Sequence, residues 1–337
     1  MSTNSKPTLV SLARELGVSR QTVSNVINAP HVVKPETRER VQHAIDASGY
    51  RPSALGRALR SSRSMNIALR VHQRTDEING TVMDRFLHAL TDAAQDRGYR
   101  IVLFTGRDDA SEFRELEAMH SNNGIDACVL TGTTVGDTRP GRLLDLGCPF
   151  VAFGRPWGAL PGEHSWVDVG GASGTRDATR ALIERGHRDI GFIGWTTGSG
   201  TGDDRRSGWA EAMAGVVDDP ASLNVQVDID GVTSGAHAAR ELKARGATAV
   251  VCASDSLALG AYPVFENPAD DFIPVVGFDD TPVARALGLS SCAQPVEDAA
   301  RFCIATLLAL LSKKDADPAD FQQILDPRLV VRQRHGA

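Results

Sequence analysis

The chain has 337 residues, 42% of them hydrophobic, which suits two or three compact units better than one small domain. The formal net charge of −6 argues against a nucleic-acid partner only if taken whole, because residues 1–64 carry ten Lys and Arg against four acids, a net +6 that leaves −12 on the remainder. A basic head on an acidic body is the footprint of a DNA-binding module carried by a domain with another job. Five cysteines (Cys128, Cys148, Cys252, Cys292, Cys303) form no CxxC pair and read as small buried hydrophobes in a reducing cytosol. The N-terminus has no apolar h-region and no apolar run approaches membrane-spanning length, so a soluble cytoplasmic protein is expected.

Met1–Pro7 is a polar arm. Leu9, Leu12, Ala13 and Leu16 fall at helical spacing and predict a short amphipathic helix. Gly17 supplies a turn, because a residue without Cβ tolerates positive φ. Ser19 is a good cap for a second helix whose apolar side is Val23, Val26 and Ile27. Thr8–Asn28 thus has the helix-turn-helix pattern, with an ordinary helical hairpin as the plainer alternative. Pro35 opens a third helix over Pro35–Ser48, with Val41 and Ile45 inward, and Gly49 closes it. Arg51-Pro52 breaks the chain. Ser53–Arg60 is a weak helix, marginal in isolation, and Ser61–Ser64 is a polar linker.

From Asn66 onward strands and helices alternate. The candidate strands are Asn66–Val71, Arg100–Phe104, Ala127–Leu130, Phe150–Phe153, Asp189–Ile193, Val225–Asp228, Ala249–Ala253 and Ile273–Gly277. Helices lie between them, among them Val82–Arg97, Ala172–Arg185, Gly235–Arg245 and Val296–Leu311. Such alternation implies parallel sheets with helices on both faces, and eight strands suit two lobes better than one sheet.

Gly198–Gly202 has GxGxG spacing, not GxGxxG, and Asp203-Asp204 would repel phosphate, so a flexible loop at a cleft is expected. No Walker A, HExxH or GxSxG motif occurs, and no Cys/His cluster has metal spacing, so neither cofactor nor enzymatic activity is expected. Trp157, Trp166 and Trp195 fall near predicted strand ends, where each can pack in a core or stack on a sugar face. Asp279-Asp280 follows the strand Ile273–Gly277, and a carboxylate there can accept two hydrogen bonds from vicinal hydroxyls. Arg205 can donate a bidentate pair to hydroxyls or a carboxylate; its alternative is a surface salt bridge to Asp203 or Asp204.

Gly17-Val18-Ser19-Arg20-Gln21-Thr22-Val23-Ser24 and then Asn28 closely resemble the N-terminus of the lactose repressor (LacI/GalR) family of bacterial transcription regulators. Pro35-Glu36-Thr37-Arg38, Gly49-Tyr50-Arg51-Pro52 and Val276-Gly277-Phe278-Asp279-Asp280 match as well, so the resemblance covers nearly the whole chain. It implies a three-helix headpiece over 1–52, a hinge helix and linker over 53–64, and a two-lobed periplasmic-binding-protein-like α/β core with parallel sheets over 65–337. Lobe 1 would take about 65–166 and 296–323, and lobe 2 about 170–293 and 324–337. Three crossovers are expected, near Trp166–Gly170, Gln294–Val296 and Ile324.

The second helix would enter the major groove of a near-palindromic operator, with Arg20, Gln21 and Asn25 at base edges and Thr22, Ser24 and Tyr50 at phosphates. Thr8 and Ser19 join the DNA contacts. So do Ser53, Arg57 and Leu59 of the hinge, with Leu59 as an apolar wedge in the minor groove. Arg205 and Asp279 match the family's pocket arginine and aspartate. Ser254 stands where the family often has Asn, and Gln294 and Asn79 complete the expected effector contacts. Asn79 lies in Ile78–Met83, which departs from the family's Asn-Pro-Phe-Phe-like pattern.

The implied protein is a dimeric repressor whose partners are double-stranded operator DNA and a sugar or glycoside, with no membrane. The alternatives are a sugar receptor of periplasmic type without a gene-regulatory role and a regulator with a nucleoside- or purine-like co-repressor. An enzyme on the same folds is opposed by the missing catalytic constellation.

Overall fold

The computed structural model describes residues 7–50, 63–71, 78, 80–158, 163–267, 272–312 and 316–333. Ser53, Arg57, Leu59 and Asn79 therefore lie outside the described residues. The chain divides into two compact units, Met1–Ser64 and Met65–Ala337.

The first unit holds α1 (Leu9–Glu15), α2 (Arg20–Asn28), a single 3-10 turn at Pro30–Val32 and α3 (Pro35–Ser48). Thr8 and Ser11 form a reciprocal cap on α1: the Thr8 hydroxyl accepts from the Ser11 amide at 3.1 Å, and the Ser11 hydroxyl accepts from the Thr8 amide at 2.9 Å. Ser19 caps α2 by accepting from the Thr22 amide at 3.0 Å. Gly17 and Gly49 close α1 and α3 at φ +62° and +64°, where a side chain would be strained. Leu12, Ala13, Val23, Val26, Val41 and Ile45 bury together as the core of this unit.

The second unit carries two six-stranded sheets. Lobe 1 contains β1 (Asn66–Val71), α4 (Gly80–Gln95), β2 (Arg100–Thr105), α5 (Asp109–Ser121), β3 (Ala127–Thr131), α6 (Arg139–Leu146), β4 (Phe150–Phe153) and β5 (Trp166–Val169). Lobe 2 follows with α7 (Gly171–Glu184), β6 (Ile190–Trp195), α8 (Gly200–Met213), β7 (Asn224–Val227), α9 (Val232–Ala244), β8 (Ala249–Cys252), α10 (Asp255–Phe265), β9 (Val275–Phe278), α11 (Pro282–Ala286) and β10 (Ser290–Ala293). The chain then returns to lobe 1 as α12 (Val296–Ser312) and β11 (Gln322–Leu325), and ends in lobe 2 with β12 (Arg328–Val330). Sheet 1 runs β11-β5-β4-β3-β1-β2 and sheet 2 runs β12-β10-β9-β8-β6-β7. Every pairing is parallel except β10 with β12.

Helices cover both faces, as parallel sheets require. In lobe 1, Phe86, Leu90 and Ala94 of α4 pack with Val296, Ala300 and Leu307 of α12 on one face. Phe113, Leu116 and Leu143 cover the other. All five cysteines are free and buried. Among the described residues no helix is long and apolar enough to cross a membrane.

Two sequence expectations are corrected. Gly200–Gly202 is not a flexible loop but the first turn of α8, capped by the Ser199 hydroxyl, which accepts from the Gly202 amide at 3.2 Å. Its glycines answer close packing rather than flexibility: a Cβ at Gly200 would overlap the Trp157 ring, and one at Gly202 would press on Trp195. The last crossover falls at Asp326-Pro327, because Ile324 lies within β11 and pairs with Asp168. The other two crossings fall between β5 and α7 and between β10 and α12.

Candidate functional sites

On the first unit, the start of α2 is the presented edge. Ser19, Arg20 and Gln21 are exposed, and Thr22 and Asn25 are half-buried. Gln21 Nε2 donates to Asn25 Oδ1 at 2.8 Å, the bond expected of side chains one turn apart on one helix face. Ser24, expected at a phosphate, is instead 9% exposed and turned into the unit. Tyr50 packs against the small core. A polar concavity beside α2 is lined by Thr22, Asn25, Lys34, Thr37 and Arg40. Lys34, Thr37 and Arg40 escaped the sequence reading, although two cations flanking the third helix's first turn were a visible signal.

On the second unit, the functional side chains gather at the carboxyl ends of sheet 2, where open α/β sheets bind ligands. Asp279 follows β9 with φ +115°, and Asp280 follows with φ +52°; both are rare for residues with a Cβ. The turn is held from below. Asp255, at the start of α10, accepts from the Thr281 amide at 2.7 Å and from the Ser291 hydroxyl at 2.6 Å. Ser291 in turn accepts from the Asp280 amide at 2.9 Å, and the Asp279 amide donates to the Cys292 carbonyl at 2.8 Å. Asp280 is neutralised by Arg285 and Arg332. Asp279 makes neither of these two ion pairs.

Arg205 is only 6% exposed, so the surface salt bridge is excluded. Asp203 pairs with Arg206, and Asp204 with Arg155. Arg205 Nη1 donates to the Ala253 carbonyl and stands 3.9 Å from Asp279 Oδ1, too far for a hydrogen bond. Its guanidinium lies 3.8 Å over the Phe278 ring, and its buried Nε has no partner among the described residues. Gln294 Nε2 donates to Asp279 Oδ1 at 2.5 Å.

The Ser254 hydroxyl caps α10, accepting from the Leu257 amide at 3.2 Å, and donates to Asp230 Oδ1 at 2.5 Å. Ser254 is 1% exposed, so Asp230 presents the carboxylate at that point. Asp230 escaped the sequence reading because nothing local marks the loop after β7. Trp195 ends β6 with a buried Nε1 that lacks a partner among the described residues. Burial pushes the Asp279 carboxyl up to about 7 against the pull of Arg205, and pushes Asp255 up to about 6. Arg205, Asp279 and Gln294 are brought together; Ser254 bonds to Asp230 instead.

Residues 8–53 match bacterial regulatory proteins of the lacI family, and residues 179–333 match the periplasmic binding protein-like domain. The chain is 32% identical to the HTH-type transcriptional regulator CelR of Thermobifida fusca over 97% of this chain and 98% of that one. The chain belongs to the lacI family of bacterial regulatory proteins. Another relative in the family is the HTH-type transcriptional repressor PurR of Serratia proteamaculans, 30% identical over 97% of this chain and 96% of its own. Among solved structures, a CelR–cellobiose complex superposes with a TM-score of 0.69 at 31% identity, covering 98% of this chain and all of that one. The lac repressor dimer bound to operator and an anti-inducer has the same fold, with a TM-score of 0.78 at 20% identity over 98% of this chain and 99% of that one. These relatives are transcriptional regulators.

Proposed function

We propose that the protein is a cytoplasmic repressor that binds a near-palindromic operator as a homodimer and changes its operator affinity when a saccharide or glycoside enters the cleft between its lobes. The observation that carries the effector class is the convergence of Arg205, Asp279 and Gln294 at the strand ends of sheet 2. A guanidinium donor beside a carboxylate acceptor suits the vicinal hydroxyls of a sugar ring. The cellobiose held by the related CelR supports the same class. Arg20, Gln21 and Asn25 would read base edges, while Thr22, Lys34, Thr37 and Arg40 suit the flanking phosphates.

The test is a mobility shift with DNA from around the protein's own gene at moderate salt, repeated with cellobiose, other saccharides and nucleobases. A specific complex whose affinity changes with a saccharide supports the reading. Only nonspecific, salt-sensitive binding overturns the regulator, and a response confined to nucleobases overturns the sugar.

A further inference from the structure

One side-chain cluster outside the effector residues joins the two lobes directly. After β4 the chain turns at Gly154, with φ +124°, and continues as Arg155-Pro156-Trp157. Thr133, just beyond β3, ties this segment to lobe 1. Its hydroxyl donates to the Arg155 carbonyl at 3.1 Å and accepts from Trp157 Nε1 at 3.2 Å. The Trp157 backbone forms a parallel bridge with Val135, and the Arg155 guanidinium lies 4.8 Å over the Trp157 ring.

From this segment one side chain bonds within lobe 1 and also reaches lobe 2. Arg155 Nε donates to Asp168 Oδ2 of β5 at 2.6 Å, and its Nη2 donates to Asp204 Oδ2 of α8 at 3.1 Å. The one guanidinium therefore straddles the first crossover. The Trp157 ring rests on Gly200, the first residue of α8, so closely that any Cβ there would overlap it. Asp204 also accepts from the Ala172 amide at 3.0 Å, which fixes the carboxylate in lobe 2 without help from Arg155.

We propose that Arg155 and Trp157 form a releasable latch, so that the lobes swing apart only when the Arg155–Asp204 pair breaks and the ring lifts from Gly200. Opening strands neither charge, because Arg155 keeps Asp168 and Asp204 keeps the Ala172 amide. That is what separates a latch from a buried ion pair, whose rupture leaves an uncompensated charge. The latch sets the fraction of molecules with an open cleft, and a ligand's apparent affinity scales with whichever fraction is competent to bind it. That consequence rests on the reading of the cleft as the effector site; the latch itself does not.

The test is single-molecule energy transfer on the full-length protein, with no DNA or effector added. Dyes go on Glu117→Cys in α5 and His237→Cys in α9, both exposed, while the native cysteines are buried. Asp204→Asn keeps an acceptor for the Ala172 amide but removes the charge facing Arg155. Trp157→Ala removes the ring, and Gly200→Ala keeps every latch side chain while lifting the ring. Each should raise the low-transfer population roughly two- to fivefold, the range of a partly exposed ion pair, and Trp157→Phe should recover much of the loss. An unchanged distribution in folded Asp204→Asn and Gly200→Ala proteins overturns the latch. Such a result leaves the effector reading intact, whereas a normal latch without any saccharide response would overturn that reading alone.

Discussion

Gln294 Nε2 donates to Asp279 Oδ1 at 2.5 Å, joining the ends of the adjacent parallel strands β9 and β10. The same oxygen faces Arg205 Nη1 at 3.9 Å. The carboxylate is thus oriented by an amide and attracted by a guanidinium that stands beyond hydrogen-bond distance.

Removal of either charged partner should uncouple the cleft from DNA. Arg205→Ala and Asp279→Asn are expected to retain operator binding and lose the effector's influence on it. A charge-assisted hydrogen bond contributes about 1.5–3 kcal/mol, so effector affinity by calorimetry should fall roughly 10- to 150-fold. Because coupling is reciprocal, operator DNA should also cease to alter whatever effector affinity remains. Normal effector binding in both variants would place the pocket elsewhere.

The same carboxylate makes the core sensitive to pH. Burial raises Asp279 to about 7 and Asp255 to about 6, both above the usual carboxylate value of 3.8. The native state then holds protons that the unfolded chain has released. The resulting stability is fully present below 3.8 and is lost as pH rises through 6 and 7. Urea midpoints between pH 4 and pH 8 should show Asp279→Asn with a shallower decline than the native protein. Effector affinity should run the other way and rise through pH 7, because a sugar hydroxyl donates best to the ionised carboxylate.

Glu112 tests the frame behind lobe 1. It is 1% exposed and its Oε2 accepts from Arg70 at 2.6 Å and from Arg139 at 2.7 Å. Those arginines also donate to the carbonyls of Gly106 and Gly132, fixing the loops after β2 and β3. Glu112→Ala strands two buried guanidiniums and should destabilise the core by about 3–5 kcal/mol, read from urea unfolding. A loss below roughly 1 kcal/mol would mean that Asp109 and Asp137 neutralise the arginines without it.

Asn25 tests the reading of DNA. Its Oδ1 is held by Gln21 Nε2, so the pair moves as one polar unit on the face of α2. Asparagine pairs best with adenine, whereas arginine favours guanine, and each such contact contributes roughly 1–3 kcal/mol of discrimination. Asn25→Arg should change the selected base at one symmetric pair of positions in randomised half-sites. If the sequence stays the same while affinity and salt dependence both rise, Asn25 is a backbone contact.

The headpiece was legible residue by residue because its determinants are local. The cap at Ser19, positive-φ glycines at Gly17 and Gly49, and apolar spacing each act within one or two turns, whereas the Thr8 cap emerged only in the structure. Strands β1 and β4 could be read to the residue from their apolar runs. The sequence thus determined two modules, an alternating α/β core, and Arg205 and Asp279 as candidates for ligand contact. It left out β5, β10, β11 and β12, since segments such as Ser-Ser-Cys-Ala at Ser290–Ala293 become strands only through their neighbours. Nor could it decide Arg205, whose adjacent aspartates looked like natural partners. The tertiary structure sends Asp203 to Arg206 and Asp204 across the lobes to Arg155, which leaves Arg205 facing Asp279. It also explains Gly200 as the seat of Trp157 rather than as a flexible residue. Propensity and capping are set by residues close in the chain. An ion pair's partner and a glycine's neighbour are chosen by elements that meet only after the sheets have formed.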